Sequence, residues 1–405
     1  MLGTEEEKGL EFTGHGETNT PSTDIPGSTR LFGRYTDLSL DGSVLVASSP
    51  LESVNGNRQQ GLIRLYYKGD DNDWTLRDTI TEESGGWYTG YGSQVSLSST
   101  GSVLVVSSPN AEAEGCQRAG LIHIYKLKDG EMVKEATICN GSPANDGRFG
   151  SAIMVSGDGE TLAVAVNSAA LDGAVMIYAS TDAGWVHKST ITNPYQDIHN
   201  GFGSALALSY TGNHLAISTL SDTAGVNAGY VDLWLTKETG DIKRISLEAP
   251  HSTFGDNYGS AIAMSLTGDT VLVCAPTASV DDELDSGVFY VYKFTDERYT
   301  VSYEDICGRY DSTGLSGALC VSGDGKRGTA GYVTADGRVG TVLFDIDAEG
   351  YGCVSGELDV PVLGGCSQLV MSYDGSVIGA TTNNNPRQGD CVNKVTMYSV
   401  YNKEA

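Results

Sequence analysis

The feature that most constrains this chain is one hairpin written seven times. "LSLDGSVLVASSP" starts at Leu38, "LSSTGSVLVVSSP" at Leu97, "VSGDGETLAVAVN" at Val155 and "LSYTGNHLAISTL" at Leu208. "MSLTGDTVLVCAP" starts at Met264, "VSGDGKRGTAGYV" at Val321 and "MSYDGSVIGATTN" at Met371. The turn glycines are Gly42, Gly101, Gly159, Gly212, Gly268, Gly325 and Gly375, so successive copies lie 59, 58, 53, 56, 57 and 50 residues apart. That period is too long for helical-repeat units and suits a four-stranded blade. Asp-Gly or Thr-Gly between apolar runs supplies the positive φ of a tight hairpin. The flanking runs are nearly all apolar, as strands buried on both faces should be.

A third strand follows each hairpin, as in "GLIRLYYK" from Gly61 and "GVFYVYKF" from Gly287. A more polar fourth segment follows that, as in "DWTLRDTI" from Asp73 and "IKRISLEA" from Ile242. Its charge suits an outer edge strand. Only six such segments follow a third strand, and the seventh is sought at the other end of the chain, in "KGLEFTG", residues 8–14. The expected fold is therefore all-β: one seven-bladed β-propeller over residues 1–405, its ring closed by an N-terminal strand pairing in the last blade. The expected blades are 31–80, 91–139, 148–192, 201–249, 257–306, 314–360 and 364–401.

The units resemble the FG-GAP repeat of the integrin α-subunit head. The residues that carry the resemblance are "FGSA" at Phe149–Ala152 and Phe202–Ala205 and "YGSA" at Tyr258–Ala261, with degraded "GAP" endings such as "SSP" at Ser48–Pro50. The resemblance implies a seven-bladed propeller and says little about activity, because propellers host unrelated functions. Integrin-like repeats carry a DxDxDG calcium loop between the first two strands. Here the turn is only "SLDGS", "SSTGS" or "SGDGE". One carboxylate or none cannot supply six to eight oxygens, so those calcium sites are not expected.

The formal charge is −27. It argues against nucleic acid as a partner, which needs clustered Lys and Arg, and against an anionic membrane surface. It also keeps a chain soluble through self-repulsion. No apolar run approaches the 18 residues of a membrane span, so no membrane insertion is expected. The opening "MLGTEEEKGLEFTGHG" lacks the apolar stretch of a signal peptide, which leaves an intracellular chain or one whose leader has been removed.

No catalytic residue nominates itself. His15, His123, His187, His199, His214 and His251 do not pair at metal-ligand spacing, and no GxSxG, HExxH or Walker sequence occurs. No cofactor is expected. Asp70, Asp71 and Asp73, in the turn after the first third strand, and Asp345 and Asp347, in the matching turn of blade six, are either solvated turns or weak metal candidates. The loop with Asp281, Asp282, Glu283 and Asp285 reads the same way. Of eight cysteines, Cys116 and Cys139 fall at strand ends on one rim, where a disulfide would fit. Cys274 and Cys320 fall on inner strands as small apolar residues.

Strand alternation gathers the second-to-third loops and the inter-blade loops on one face and leaves short turns on the other. Trp87, Tyr88, Tyr91, Tyr195 and Tyr258 fall on the long-loop side, either as interface anchors or as plugs between blades. The expected function is a non-enzymatic protein-binding or scaffold module, its partner another protein or the subunits of a larger assembly. The alternatives are an extracellular adhesion or carbohydrate-binding propeller and an enzyme with a site in the central funnel.

Overall fold

The computed structural model describes residues 22–26, 32–83, 85–167, 173–195, 201–220, 229–236, 241–247, 249–250, 255–279, 287–296, 298–306, 312–334, 338–350, 352–363, 366–382 and 393–400. Its strands form seven four-stranded antiparallel sheets, each one blade of a propeller. Strand β1 (Ser22–Pro26) comes first. Blade one is β2 (Thr36–Leu38), β3 (Val44–Ser49), β4 (Leu62–Lys68) and β5 (Trp74–Thr81). Blade two is β6 (Val95–Leu97), β7 (Val103–Ser108), β8 (Leu121–Lys128) and β9 (Glu131–Ile138). Blade three is β10 (Phe149–Val155), β11 (Thr161–Val166), β12 (Ala174–Thr181) and β13 (Gly184–Thr192). Blade four is β14 (Phe202–Leu208), β15 (His214–Thr219), β16 (Tyr230–Thr236) and β17 (Ile242–Ser246). Blade five is β18 (Ala261–Met264), β19 (Thr270–Ala275), β20 (Val288–Thr295) and β21 (Arg298–Ile306). Blade six is β22 (Ser312–Val321), β23 (Arg327–Thr334), β24 (Arg338–Ile346) and β25 (Gly352–Leu363). Blade seven is β26 (Cys366–Met371), β27 (Val377–Thr382) and β28 (Lys394–Ser399), with β1 as its outer strand.

The closing strand is Ser22–Pro26, paired from Ser22↔Tyr398 to Pro26↔Lys394, and it takes the place expected for residues 8–14, which lie outside the described residues. The reason is chemical match. Asp24 accepts hydrogen bonds from Lys394 Nζ at 2.7 Å and Thr396 Oγ1 at 2.8 Å. Ile25 is buried with Phe32, Val395 and Met397. A five-residue "STDIP" ending in proline shows little apolar alternation, so sequence pattern favours "KGLEFTG" instead.

Burial follows the blade logic. The second strands β3, β7 and β19 are buried at every residue, while the fourth strands β5 and β9 are largely exposed. The core is divided into seven apolar clusters, each between two adjacent blades. One joins blades seven and one through Phe32, Leu45 and Val395, and the next joins blades one and two through Ile63, Tyr91 and Leu104. Each blade therefore buries its apolar residues against both of its neighbours.

The first-to-second turns are built alike in all seven blades. A serine opens each one: Ser39, Ser98, Ser156, Ser209, Ser265, Ser322 and Ser372, all buried. Its Oγ accepts the backbone N–H five residues on at 2.9–3.1 Å, from Val44, Val103, Thr161, His214, Thr270, Arg327 and Val377. In four turns that hydroxyl donates to the aspartate two residues on, as Ser39 does to Asp41 at 2.6 Å. The turn glycine is needed twice over. At Gly212 φ is 72°, and a Cβ would sit 2.6 Å from Thr161 Cβ of the preceding blade.

These turns also join hands around the axis. Leu40 N–H donates to Ser99 O, Ser99 to Gly157, Asp158 to Tyr210, and Tyr210 to Leu266. Leu266 then donates to Gly323, Asp324 to Tyr373, and Tyr373 back to Leu40, all seven bonds measuring 2.7–3.0 Å. The circle runs without a gap through every blade.

Candidate functional site

The long-loop face is assembled from pairs of loops. In blade one, Val54 and Asn57 form a small bridge at the tip of the second-to-third loop, and in blade two Ala113 and Cys116 do the same. The following inter-blade loop docks against each tip by backbone bonds. Tyr88 N–H donates to Arg58 O at 2.8 Å and Tyr91 N–H to Gln60 O at 2.7 Å. Equivalently, Asp146 N–H donates to Gln117 O at 2.9 Å and Phe149 N–H to Ala119 O at 2.8 Å. Buried Gln60 fastens the first pair further, its Nε2 donating to Glu82 O at 2.6 Å.

That scaffold presents two of the five candidate aromatics. Trp87 is 62% exposed and Tyr88 is 48% exposed. Tyr88 sits at φ 64°, the left-handed region, at the place filled by Asp146 (φ 59°) and Gly255 (φ 93°) in other blades. An aromatic side chain there is strained, whereas Asp and Gly tolerate it.

Tyr91 and Tyr258 are not surface residues, which corrects their candidacy as anchors. Both are fully buried and belong to a series, Phe32, Tyr91, Phe149, Phe202 and Tyr258, each preceding a positive-φ glycine and plugging the gap between two blades. Tyr91 and Tyr258 have hydroxyls because each meets a second tyrosine, Tyr125 at 2.8 Å and Tyr292 at 2.7 Å. Burial, with the neighbouring hydroxyl, pushes the pKa of Tyr91 and Tyr258 well up. Tyr195 is half-buried. Its hydroxyl donates to buried Asp232 at 3.1 Å, and Arg244 lies over its ring at 4.8 Å while pairing with Asp232 at 3.1 Å.

The acidic candidates do not converge. Asp70, Asp71 and Asp73 stand on an exposed turn, where Asp71 Oδ1 accepts Asp73 N–H at 3.2 Å. Asp345 pairs with Arg327 at 3.0 Å, and Asp347 is exposed. Among the described residues no three His, Cys, Asp or Glu side chains gather as a metal site. Asp281, Asp282, Glu283 and Asp285 lie outside the described residues. Cys116 and Cys139 are separate thiols: Cys116 Sγ donates to Pro143 O at 3.5 Å and Cys139 Sγ to Glu114 Oε1 at 3.9 Å. Burial, then the Glu114 carboxylate, raises the Cys139 pKa.

One histidine is more than a strand residue. His123 is buried, and its Nε2 lies 3.1 Å from Glu82 Oε1 and 3.2 Å from Ser108 Oγ. Thr137 Oγ1 lies 3.4 Å from its Nδ1, so both ring nitrogens have polar partners, and His123 and Ser108 are both buried. Burial works to raise the Glu82 pKa, but the hydrogen bond and charge of His123 hold it below the usual range. The group ties the loop after blade one to blade two beside Tyr91, whose ring meets His123 edge-on at 5.3 Å.

The central channel is a second concavity, about 490 Å³, lined by the inner strands. Near its long-loop end lie Tyr35, Gln94, Ser204, Ser260 and Gln368. At the short-turn end Leu40, Leu266 and Tyr373 converge on Gly323, where a Cβ would meet their side chains at 3.0, 3.2 and 2.7 Å. Asp37 is half-buried in its wall, accepting Leu38 N–H at 2.8 Å and Leu97 N–H at 2.7 Å. Burial pushes its carboxyl up to about 6 against those two bonds. Sequence reading missed Asp37, although aligning the turns would have exposed it: the same position holds Ser96, Met154, Ala207, Ala263, Cys320 and Val370.

Among the described residues no helix is long and apolar enough to cross a membrane. No protein-family model and no curated protein matches this chain. Solved structures do resemble it. A chain of the "Mitotic Checkpoint Complex" superposes with TM-score 0.58 at 14% identity, covering 99% of this chain and 97% of that one. The β-propeller domain of Myceliophteria thermophila Cps50 (Swd1) gives 0.58 at 12% identity, with 95% and 100% covered. U3-55K gives 0.57 at 11% identity, with 94% and 98% covered. At these identities the likeness is one of fold, and the fold is a seven-bladed β-propeller.

Proposed function

We propose that this chain is a non-enzymatic protein-binding scaffold that meets its partner through the long-loop face, with Trp87 and Tyr88 as the anchor. The observation that carries this reading is the pair itself. Two consecutive large aromatics are exposed to solvent, and one is held in a backbone region that its counterparts fill with Asp or Gly. Burying neither ring and straining one gains the isolated fold nothing. Exposed aromatics on a rigid frame are the commonest binding hot spots, and such a frame loses little ordering entropy on association. One similar propeller was solved within an assembly, the mitotic checkpoint complex, which supports a protein partner. We further propose that the blades are a divergent form of the FG-GAP repeat, on the strength of "FGSA" at Phe149 and Phe202.

The test is capture of partners from native extract by the full chain and by Trp87→Ala/Tyr88→Ala. A specific co-purifying protein lost in the double variant, with Tm unchanged, supports the reading. Equal capture by both proteins overturns the face, and steady turnover of a small substrate by the purified chain overturns the scaffold.

A further inference from the structure

The inner strands place one layer of seven residues at the level two positions before each turn serine, Asp37, Ser96, Met154, Ala207, Ala263, Cys320 and Val370, and all of them but the buried Ser96 line the channel. Two members of the layer do the same structural work. Asp37 Oδ2 accepts Leu97 N–H of the next blade at 2.7 Å, and Ser96 Oγ accepts Val155 N–H of the next blade at 3.1 Å. A neutral hydroxyl thus suffices to tie one inner strand to its neighbour. At Asp37 the chain carries a charge that this task does not require.

The charge stands alone. Asp37 is the only Asp, Glu, Lys, Arg or His among the described residues lining the channel, and none of the described basic side chains forms an ion pair with it. A partly buried carboxylate without a counter-charge is costly. The channel lining mixes polar groups with apolar side chains such as Leu38, Met154 and Ile262, and Leu40 and Leu266 converge at its short-turn end. At about 490 Å³ the space falls in the range of ordinary ligand sites.

We propose that the central channel is a binding site for an alkylammonium group, with Asp37 as its counter-ion and the Leu40 and Leu266 side chains taking its hydrocarbon part. The group enters from the long-loop end, past Gln94, Ser204, Ser260 and Gln368, whose amides and hydroxyls suit a hydrated cation. Each carboxylate oxygen of Asp37 spends one lone pair on a backbone N–H and keeps another to accept from N⁺–H. The ammonium belongs either to a free small amine or to a lysine side chain of a bound peptide.

The experiment titrates the full chain at pH 8 with n-butylamine, with 1-butanol as the neutral isostere, and with a short peptide bearing one lysine beside the same peptide acetylated on that lysine. Binding is read by calorimetry and by shifts of the Cys320 and Ala207 signals in NMR spectra. The expected result is saturable binding of an amine, about tenfold or more weaker binding of its neutral counterpart, and a loss of about tenfold or more in Asp37→Asn. Asp37→Ser, which copies the arrangement of blade two, should fold as the parent does and show the same loss. Affinity of the parent should also fall as pH drops below 6. The facing thiol of Cys320, pushed up to about 12 by burial and then by Asp37, stays neutral throughout. Stronger binding of the lysine peptide assigns the ammonium to a partner, and stronger binding of butylamine to a free metabolite. The proposal is overturned if neither amine saturates, if 1-butanol binds as well, or if the Asp37 variants bind as the parent does.

Discussion

On the short-turn face all seven blades make the same contacts: a buried serine accepts the N–H five residues on, and the turns clasp one another in a circle. On the long-loop face blades one and two share their backbone bonds but fill them differently, with Trp87–Tyr88 in one and Asn145–Asp146 in the other. A contact repeated in every copy reports what the ring needs to exist. A side chain that departs from its copies, at no gain to the ring, reports what the molecule does. Asp37 is such a departure inside the channel, and Tyr88 is one on the rim.

The severest way to break this contrast is to remove β1. If the circle of turn bonds alone could hold the ring, losing β1 would matter little. We expect otherwise, because β28 would become an open edge and Ile25 would leave the core. Deleting residues 1–26 should lower Tm by about 10 °C or more, while deleting 1–21 should not. Calorimetry of the two truncations decides it.

The repeated face should also respond repetitively. Ser39→Ala, Ser156→Ala and Ser322→Ala each remove an acceptor from a buried N–H, so each should cost about 1–3 kcal/mol in urea denaturation. Widely unequal costs would mean that the three turns only look alike.

The channel departure predicts a pH-dependent effect. Burial raises the folded pKa of Asp37 to about 6, so its contribution is most favourable below the unfolded value and is lost as pH rises through 6. At pH 8 Asp37→Asn should therefore stabilise the fold by about 1–2 kcal/mol, allowing for one weakened hydrogen bond. At pH 4 the gain should vanish. A variant less stable at pH 8 would show that the carboxylate is needed for the ring.

The smallest expected effect is the sharpest. Tyr88→Gly relieves the left-handed backbone at φ 64° and should raise stability by about 0.5–1 kcal/mol while weakening partner capture. A loss of stability would place Tyr88 with the repeated, structural residues.

Most of the fold was legible because a period near 55 leaves few architectures, and the hairpins at Gly42 to Gly375 fixed two strands of every blade. The closing strand was not legible. Its identity depends on Lys394 and Thr396 at the far end of the chain, and no local pattern records that match. The aromatics were half legible. Aligning Tyr91-Gly92 and Tyr258-Gly259 with Phe149-Gly150 would have put both tyrosines inside, since the following positive-φ glycine turns each ring toward the neighbouring blade. Trp87 and Tyr88 precede that register and remained free to face water. The turn serines were not legible because glycine explains the bend by itself, whereas the serine's work, holding an N–H five residues on, leaves no mark in the hydrophobic pattern.

Asp24 and Thr396 meet at 2.8 Å although 372 residues of chain separate them. On the ribosome β1 is made before every other strand of the ring and has no partner until β28, the last of them, has been synthesised. In a refolding tube the same long wait invites exchange, for β1 of one copy fits blade seven of another as well as its own. Closing on itself carries a fixed entropic cost, whereas closing on a neighbour becomes easier with every increase in concentration. Dilute chains should therefore finish as single rings, and crowded ones as strings of rings, each lending its first strand to the next.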